Sequence, residues 1–292
     1  MFESWRAFTP IGMSDFPNSV LTKIIPSSGE NLPAIGIGTY KGFDLADTAA
    51  DRARLAEVLG RLVAAGGTIV DSSPMYGRAE ARAGEALAAI GKTSAAFIMT
   101  KVWTSGREAG IRQMQDSLRY FGVERLALMQ IHNLVDWQTQ LATLRERQAA
   151  GIFRYIGISH YTTGAFAELE AVLRRETVDF LQIPYSIAER AAEARLLPLC
   201  RERGVAVIAN VPLGSGRLFR AVRGKPVPDW ARDFAPGWAA FFLKYLLGHP
   251  ACTCVIPGTG DPGHAAELLA AGEGRLPTEA ERRRMVEAVA AL

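Results

Sequence analysis

Residues 68–71 read TIVD, and residues 72–132 continue as SSPMYGRAEARAGEALAAIGKTSAAFIMTKVWTSGREAGIRQMQDSLRYFGVERLALMQIH. Three short apolar runs, Thr68–Asp71, Ala96–Lys101 and Leu126–Ile131, alternate here with two longer segments, Ala79–Ile90 and Glu108–Tyr120, that read as helices. The apolar runs are too short for helices and lack a regular polar alternation. They therefore read as strands covered on both faces. Such strands pair in parallel, under helices that return the chain from one strand to the next.

The alternation extends in both directions. Upstream, Pro33–Thr39 (PAIGIGT) reads as a strand. Thr48–Ala65 reads as a helix with Leu55, Val58, Leu59 and Leu62 at helical spacing, stopped by Gly66-Gly67. Downstream, strands are expected at Ile152–Ile158, Phe180–Ile183, Val205–Ala209 and Cys252–Ile256. Helices are expected at Trp137–Ala149, Thr163–Arg174, Ala191–Glu202, Gly237–Leu247, His264–Ala271 and Glu279–Leu292. Eight strand–helix units fit an α/β fold closed as a (β/α)8 TIM barrel, whose usual length of roughly 250 residues would use nearly all of the chain. A doubly wound open sheet is the alternative. Leu21–Pro33 (LTKIIPSSGENLP) reads as a β-hairpin with a Ser-Ser-Gly turn, suited to closing the barrel floor. The expected organisation is one barrel domain over residues 1–292, with an N-terminal extension at 1–20 and the hairpin at 21–33. Gly214–Pro236, the longest irregular stretch, is long enough for a loop over an active site.

Composition narrows the function. The 292 residues are 49% hydrophobic and 22% charged, ordinary values for a folded enzyme. Lys+Arg of 33 against Asp+Glu of 30 leaves +3, too balanced to indicate a nucleic-acid partner. No apolar run of about 18 residues marks a membrane span. The N-terminal sequence lacks the basic start and apolar stretch of a signal peptide. Cys200, Cys252 and Cys254 are few and odd in number, which suggests a reducing, cytoplasmic setting. Cys252 and Cys254 are expected to share one strand face as core thiols; no second Cys/His pair completes a zinc site, and no metal is expected.

In a (β/α)8 barrel the carboxyl ends of the strands carry the site. TIVD ends in Asp71, FIMTK in Lys101, LMQIH in His132 and IGISH in Ser159-His160, while FLQIPY carries Gln182 and the loop SSPMYG carries Tyr76. Taken singly, such residues are most often helix caps, solvated flanks or hydrogen-bonded scaffold. Three neighbouring strands ending in an acid, a cation and an imidazole are a different matter. A phenol ordinarily titrates near 10, too high for acid–base work at neutral pH, and an adjacent ammonium is expected to lower it. A carboxylate would hold that ammonium in place. An imidazole N–H can orient a carbonyl oxygen. The group suits protonation of an oxygen that becomes an alkoxide as hydride arrives at its carbon; no side chain donates hydride, so a nicotinamide is required.

These segments, in this order, resemble the aldo/keto reductase family from about Leu21 to Leu292: PSSGENLPAIGIGTY, the loop SSPMYG behind its strand-end acid, MTKVW, MQIHN, YIGIS and VPLGSG. The resemblance implies Tyr76 as general acid, Lys101 and Asp71 as its tuning pair and His132 as carbonyl orienter. It implies cofactor contacts from Thr39, Tyr40, Asp71, Ser159, Gln182, Pro212, Leu213, Gly214 and Ser215, with Arg217 either at the pyrophosphate or in solvent. His160 stands where the family usually has asparagine, and Asn210 where a tyrosine stacks on the nicotinamide. At the adenosine end, IPGTGDPGHAAELL places Gly258, Thr259, His264 and Leu268 where lysine, serine, arginine and asparagine are common, while Glu267 matches. The missing cations weaken a 2′-phosphate grip, but Thr259, backbone N–H groups and a helix N-terminus near Gly263 remain as anion binders. Tyr40, Trp103 and Asn133 are expected to face substrate.

The expected function is reduction of a small aldehyde or ketone to an alcohol, with NADPH as cofactor and NAD as the alternative. Two other classes stay open. One is a Schiff-base aldolase using Lys101. The other is a nucleotide-sensing regulatory subunit with little turnover. The sequence leaves the oligomeric state and the particular substrate unread.

Overall fold

The computed structural model describes residues 20–291. The expected N-terminal extension at 1–20 therefore lies outside the described residues apart from Val20. Two strands, β1 (Thr22–Ile24) and β2 (Asn31–Pro33), form the antiparallel hairpin. Eight more follow: β3 (Gly36–Gly38), β4 (Ile69–Asp71), β5 (Phe97–Val102), β6 (Leu126–His132), β7 (Phe153–Ser159), β8 (Phe180–Pro184), β9 (Ala206–Asn210) and β10 (Cys252–Val255). They pair in parallel in chain order from β3 to β10. Parallel bridges Ile35–Val255 and Gly38–Gly258, with Val255 N–H donating to Ala34 O at 2.9 Å, join the last strand to the first. The result is the expected (β/α)8 barrel.

Alternation along each strand sorts the side chains. One set points inward: Ile69, Phe97, Met99, Leu128, Tyr155, Phe180, Ala206, Ile208 and Cys254 fill the barrel, and Ile25 and Leu32 of the hairpin join them. The hairpin thus plugs the floor, as its position suggested. The other set meets the helix layer, formed by α1 (Ala49–Ala64), α2 (Ala79–Ala89), α3 (Arg107–Phe121), α4 (Trp137–Ala149), α5 (Phe166–Arg175), α6 (Leu196–Arg203), α7 (Arg217–Ala221), α8 (Trp238–Leu247), α9 (Pro262–Leu269) and α10 (Glu279–Ala290). Helix α1 ends as its glycines require. Gly66 adopts φ 77°, and Gly67 N–H reaches back to Leu62 O at 2.9 Å.

Several boundaries differ from the sequence reading. The first barrel strand has three residues rather than the seven of Pro33–Thr39, because Pro33 belongs to the hairpin and only Gly36–Gly38 ladder with β4. The segment read as one helix over Ala191–Glu202 divides into a turn at Ala191–Ala194 and α6. Pro198 has no N–H to bond the carbonyl four residues back, so α6 begins at Leu196. Thr163–Arg174 divides similarly into a turn at Thr163–Ala165 and α5. Gly214–Pro236 is not irregular throughout: it holds α7 and single turns at Gly214–Gly216 and Asp229–Ala231. Cys252 and Cys254 do not share a face. A register shift between them puts Cys252 in the outer cluster and Cys254 inside the barrel.

Candidate active site

The inward parity that packs the barrel also builds its mouth. Met99 points in, and so does Lys101; Ile69 and Asp71, Leu128 and Gln130, Phe180 and Gln182 follow the same rule. Each strand is apolar at its floor and polar at its carboxyl end. Asp71 and Lys101 are buried at 3% and 1% exposure, so each needs a partner. Lys101 Nζ donates to Asp71 Oδ1 and to Ser72 O, both at 2.7 Å. The other carboxylate oxygen accepts from Gln182 Nε2 at 3.4 Å, and Gln182 Oε1 accepts from Gln130 Nε2 at 2.7 Å.

Tyr76, in the loop after β4, packs against this pair. Lys101 Nζ lies 5.3 Å from its ring centroid and also interacts with its phenol oxygen. The Tyr76 and His132 rings meet edge-on, 6.0 Å between centroids at 88°. Ser73 Oγ lies 2.9 Å from His132 Nδ1 and itself accepts a long bond from Met75 N–H at 3.4 Å. The four groups expected to converge from distant parts of the chain therefore do so.

Their electrostatics correct one expectation. Burial pushes the Tyr76 phenol above its ordinary value, and the Lys101 charge pulls against this without reversing it. Burial also disfavours the Lys101 charge, but Asp71 and Tyr76 outweigh it and hold the ammonium above its usual range. Burial pushes Asp71 up against the pull of Lys101. His132 is lowered to about 3 by burial, with the charge of Lys101 adding to it. At neutral pH the site thus presents a protonated phenol, a neutral imidazole and an ion pair.

Around the tetrad lie most of the other expected residues. Thr39 Oγ donates to Ser72 Oγ in a buried bond at 2.8 Å, while the next residue, Tyr40, is 56% exposed with its ring 4.9 Å from that of Tyr76. Trp103 is 43% exposed on the loop after β5. Asn133 N–H donates to Ser159 O at 2.8 Å, and Ser159 Oγ reaches Ile131 O at 3.3 Å. Asn210 Nδ2 donates to the His160 carbonyl at 3.0 Å, and His160 Nδ1 accepts from Thr162 N–H at 3.1 Å. Gln130 Oε1, Asn133 Oδ1 and Asn210 Oδ1 are buried without a hydrogen-bond partner in the protein. Pro212 and Gly214 are buried, Leu213 is half-buried and Ser215 is exposed. Arg217 turns back onto its own loop, Nε donating to Gly214 O at 3.1 Å. Thr259 lies in the loop before α9, and His264 and Glu267 lie on that helix, both exposed.

Backbone strain marks the same rim. Among the described residues, the non-glycine positions with positive φ are Lys41, Asn133, Leu134, Asp136, Val211 and Ser215, all on loops after β3, β6 and β9. A β-branched Val211 at φ 49° is a rare conformation. Such strain persists where surrounding structure enforces it, often at functional sites.

Sequence reasoning passed over Ser72, Ser73 and Gln130. The two serines were legible as the residues that follow a strand-end acid. Gln130 was legible by parity, two residues before His132.

A barrel whose mouth joins a carboxylate–lysine pair to a phenol and a neutral imidazole is the site of an oxidoreductase class. Residues 34–288 match the Aldo/keto reductase family, and the chain belongs to it. It is 30% identical over 264 residues to the methylglyoxal reductase YeaE of Escherichia coli, covering 87% of this chain and 90% of that protein. A shorter match, 30% over 133 residues, is to an NADH-specific methylglyoxal reductase of the same organism, covering 42% and 36%. An aldo-keto reductase from Klebsiella pneumoniae solved with NADPH superposes with a TM-score of 0.76 at 24% identity, covering 92% of this chain and 95% of that one.

Proposed function

We propose that this protein reduces an aldehyde or ketone to an alcohol using NADPH or NADH, with Tyr76 as proton donor. The observation that carries this is the edge-on contact of Tyr76 with a neutral His132, beside a buried Lys101–Asp71 pair. Imidazole that accepts from Ser73 Oγ–H at Nδ1 carries its proton on Nε2, free to donate to a carbonyl oxygen. The phenol then supplies a proton to that oxygen. Lys101 stabilises the phenolate left behind, and Asp71 holds Lys101 in place.

The residues present fit a nicotinamide dinucleotide. Unpartnered oxygens of Asn133 and Asn210 and the Ser159 hydroxyl stand at the carboxyl ends of β6, β9 and β7 and can accept from a carboxamide NH2. Gly214, Ser215 and Gly216, all left-handed at φ 57°, 55° and 80°, let a pyrophosphate approach the backbone closely. When bound, the reduced nicotinamide supplies the hydride. The names of the relatives, methylglyoxal reductases, support a small carbonyl as substrate. Three free cysteines, all buried, fit a cytoplasmic setting.

The aldolase reading loses support from Lys101. A Schiff-base lysine needs a depressed pKa, and Asp71 works in the opposite direction. The test is carbonyl-dependent oxidation of NADPH and NADH across a panel of aldehydes and ketones. Tight dinucleotide binding with no turnover on any carbonyl would favour the regulatory subunit instead. A borohydride-trapped adduct on Lys101 would favour the aldolase.

A further inference from the structure

Glu80 is a buried carboxylate that the chemistry above does not use. It stands in the first turn of α2, four residues after Tyr76, and is 2% exposed. Among the described residues no lysine or arginine pairs with it directly. Its Oε1 instead accepts from two hydroxyls, Thr100 Oγ1 of β5 at 2.5 Å and Ser117 Oγ of α3 at 2.8 Å, both fully buried. Burial pushes its pKa up, and the two hydroxyls and the Lys101 charge pull against this. An apolar side chain would fill the space at less cost, because a buried carboxylate gives up its water here for two neutral donors. Stability alone does not account for Glu80.

The positions of its partners do. Thr100 immediately precedes Lys101 on β5, and strand parity turns Thr100 out of the barrel where Lys101 turns in. On the other side, α2 continues directly from the Tyr76 loop, Ala79 N–H donating to Tyr76 O at 3.2 Å. The Glu80–Thr100 bond thus joins the backbone that carries the proton donor to the backbone that carries the ammonium. Ser117 braces the same oxygen from α3, on which α2 packs closely: a Cβ on Gly84, one turn after Glu80, would stand 2.1 Å from Tyr120 O. A carboxylate oxygen accepts both hydroxyls at once, whereas an alkyl chain of similar size holds neither.

We propose that Glu80 is a positioning residue for the proton transfer, fixing through Thr100 the approach of Tyr76 to Lys101. This rests on the carbonyl-reductase reading above. The experiment compares wild type, Glu80→Leu, Glu80→Gln and Thr100→Val on the carbonyl of the panel that wild type reduces fastest. It reads kcat, KM, the solvent deuterium isotope effect on kcat, and NADPH and NADH affinity by quenching of tryptophan fluorescence. Glu80→Leu is expected to lower kcat roughly tenfold or more, because small misplacements of reacting groups cost that much. Its solvent isotope effect should grow, as proton transfer becomes the slow step, while KM and dinucleotide affinity stay within about threefold. Glu80→Gln keeps an acceptor oxygen and should keep most of kcat; Thr100→Val should move in the direction of Glu80→Leu. A tie that is merely structural would lower the melting midpoint and leave kcat and the isotope effect of the folded protein alone. That result in Glu80→Leu and Thr100→Val overturns the proposal. So does a Glu80→Gln protein as slow as Glu80→Leu, which would put the effect in the charge and not in the bond. If Glu80→Leu does not fold, Thr100→Val decides by itself. A wild-type protein that turns over no carbonyl brings down the reductase reading and this proposal with it, whereas normal wild-type turnover with unmoved variants brings down this proposal alone.

Discussion

Two buried lysines stand at opposite ends of the barrel. Lys101, at the mouth, is 1% exposed and donates to a carboxylate; Lys244, in α8 near the floor, is 2% exposed and donates only to backbone carbonyls, those of Glu273 and Arg275. Burial and the charge of Arg275 lower the pKa of Lys244, whereas Asp71 and Tyr76 overcome burial at Lys101 and raise it. Burial alone therefore says nothing about chemistry. A lysine that ties down carbonyls fixes the chain between α8 and α10. A lysine facing a carboxylate on one side and a phenol on the other holds a charge next to a group that can lose a proton.

The sharpest way to break this contrast is to remove each ammonium and measure both turnover and stability. Lys101→Met and Tyr76→Phe are each expected to lower kcat by about 10²–10⁴. Tyr76→Phe should leave dinucleotide affinity within roughly threefold, because only the proton donor is gone. Near-normal turnover in Tyr76→Phe would remove that residue from its role. Lys244→Met should do the opposite. Two backbone carbonyls lose their donor, at about 1 kcal/mol for each hydrogen bond, while the folded fraction keeps its kcat. Urea denaturation beside initial rates separates the two effects, and a Lys244→Met protein that is stable but inactive would erase the distinction.

How much of this contrast was legible beforehand depends on the element. Lys101 was readable because TIVD, FIMTK and LMQIH place an acid, a cation and an imidazole at the ends of successive apolar runs, where the barrel rule puts the site. Strand parity fixed which way they point. Lys244 was not singled out: it lies inside an apolar helix, and its partners come from a stretch about thirty residues later that no periodicity links to it. The direction of the Tyr76 shift was also beyond the sequence. Proximity of Lys101 argued for lowering, but the balance turns on how much water the loop excludes, which only the packed structure shows. The split between Cys252 and Cys254 likewise needed the bulge, since alternation alone puts them on one face.

A third lysine sharpens the comparison with a smaller effect. Lys23 of the hairpin donates to Leu247 O and His249 O at 2.6 and 3.1 Å, tying β1 to the C-terminal end of α8. It is half-buried, and burial lowers its pKa. Lys23→Met is expected to cost about 1 kcal/mol, seen as a modest fall in the urea midpoint, with kcat unchanged. A large loss of activity would mean that the floor communicates with the mouth, contrary to the division drawn here.

The least effect at neutral pH should come from two histidines, buried His132 at the mouth and half-buried His249 after α8. His132 is lowered to about 3 and His249 to about 4, both chiefly by burial. Both are neutral in the folded protein above pH 5 or so, whereas the unfolded chain takes up protons below roughly 6.5. Their stabilising contribution is thus complete above about pH 6.5 and falls away as the pH drops toward 3–4. His249→Gln should flatten the acid side of the stability curve without touching catalysis. His132→Gln should flatten it and also slow reduction. Because His132 stays neutral and Tyr76 stays protonated beyond its ordinary range, kcat for reduction in the wild-type protein should be level from about pH 6 to 9. An inflection near 6.5 that disappears in His132→Gln would show that His132 titrates during turnover, and the neutral-donor role assigned to it would have to be given up.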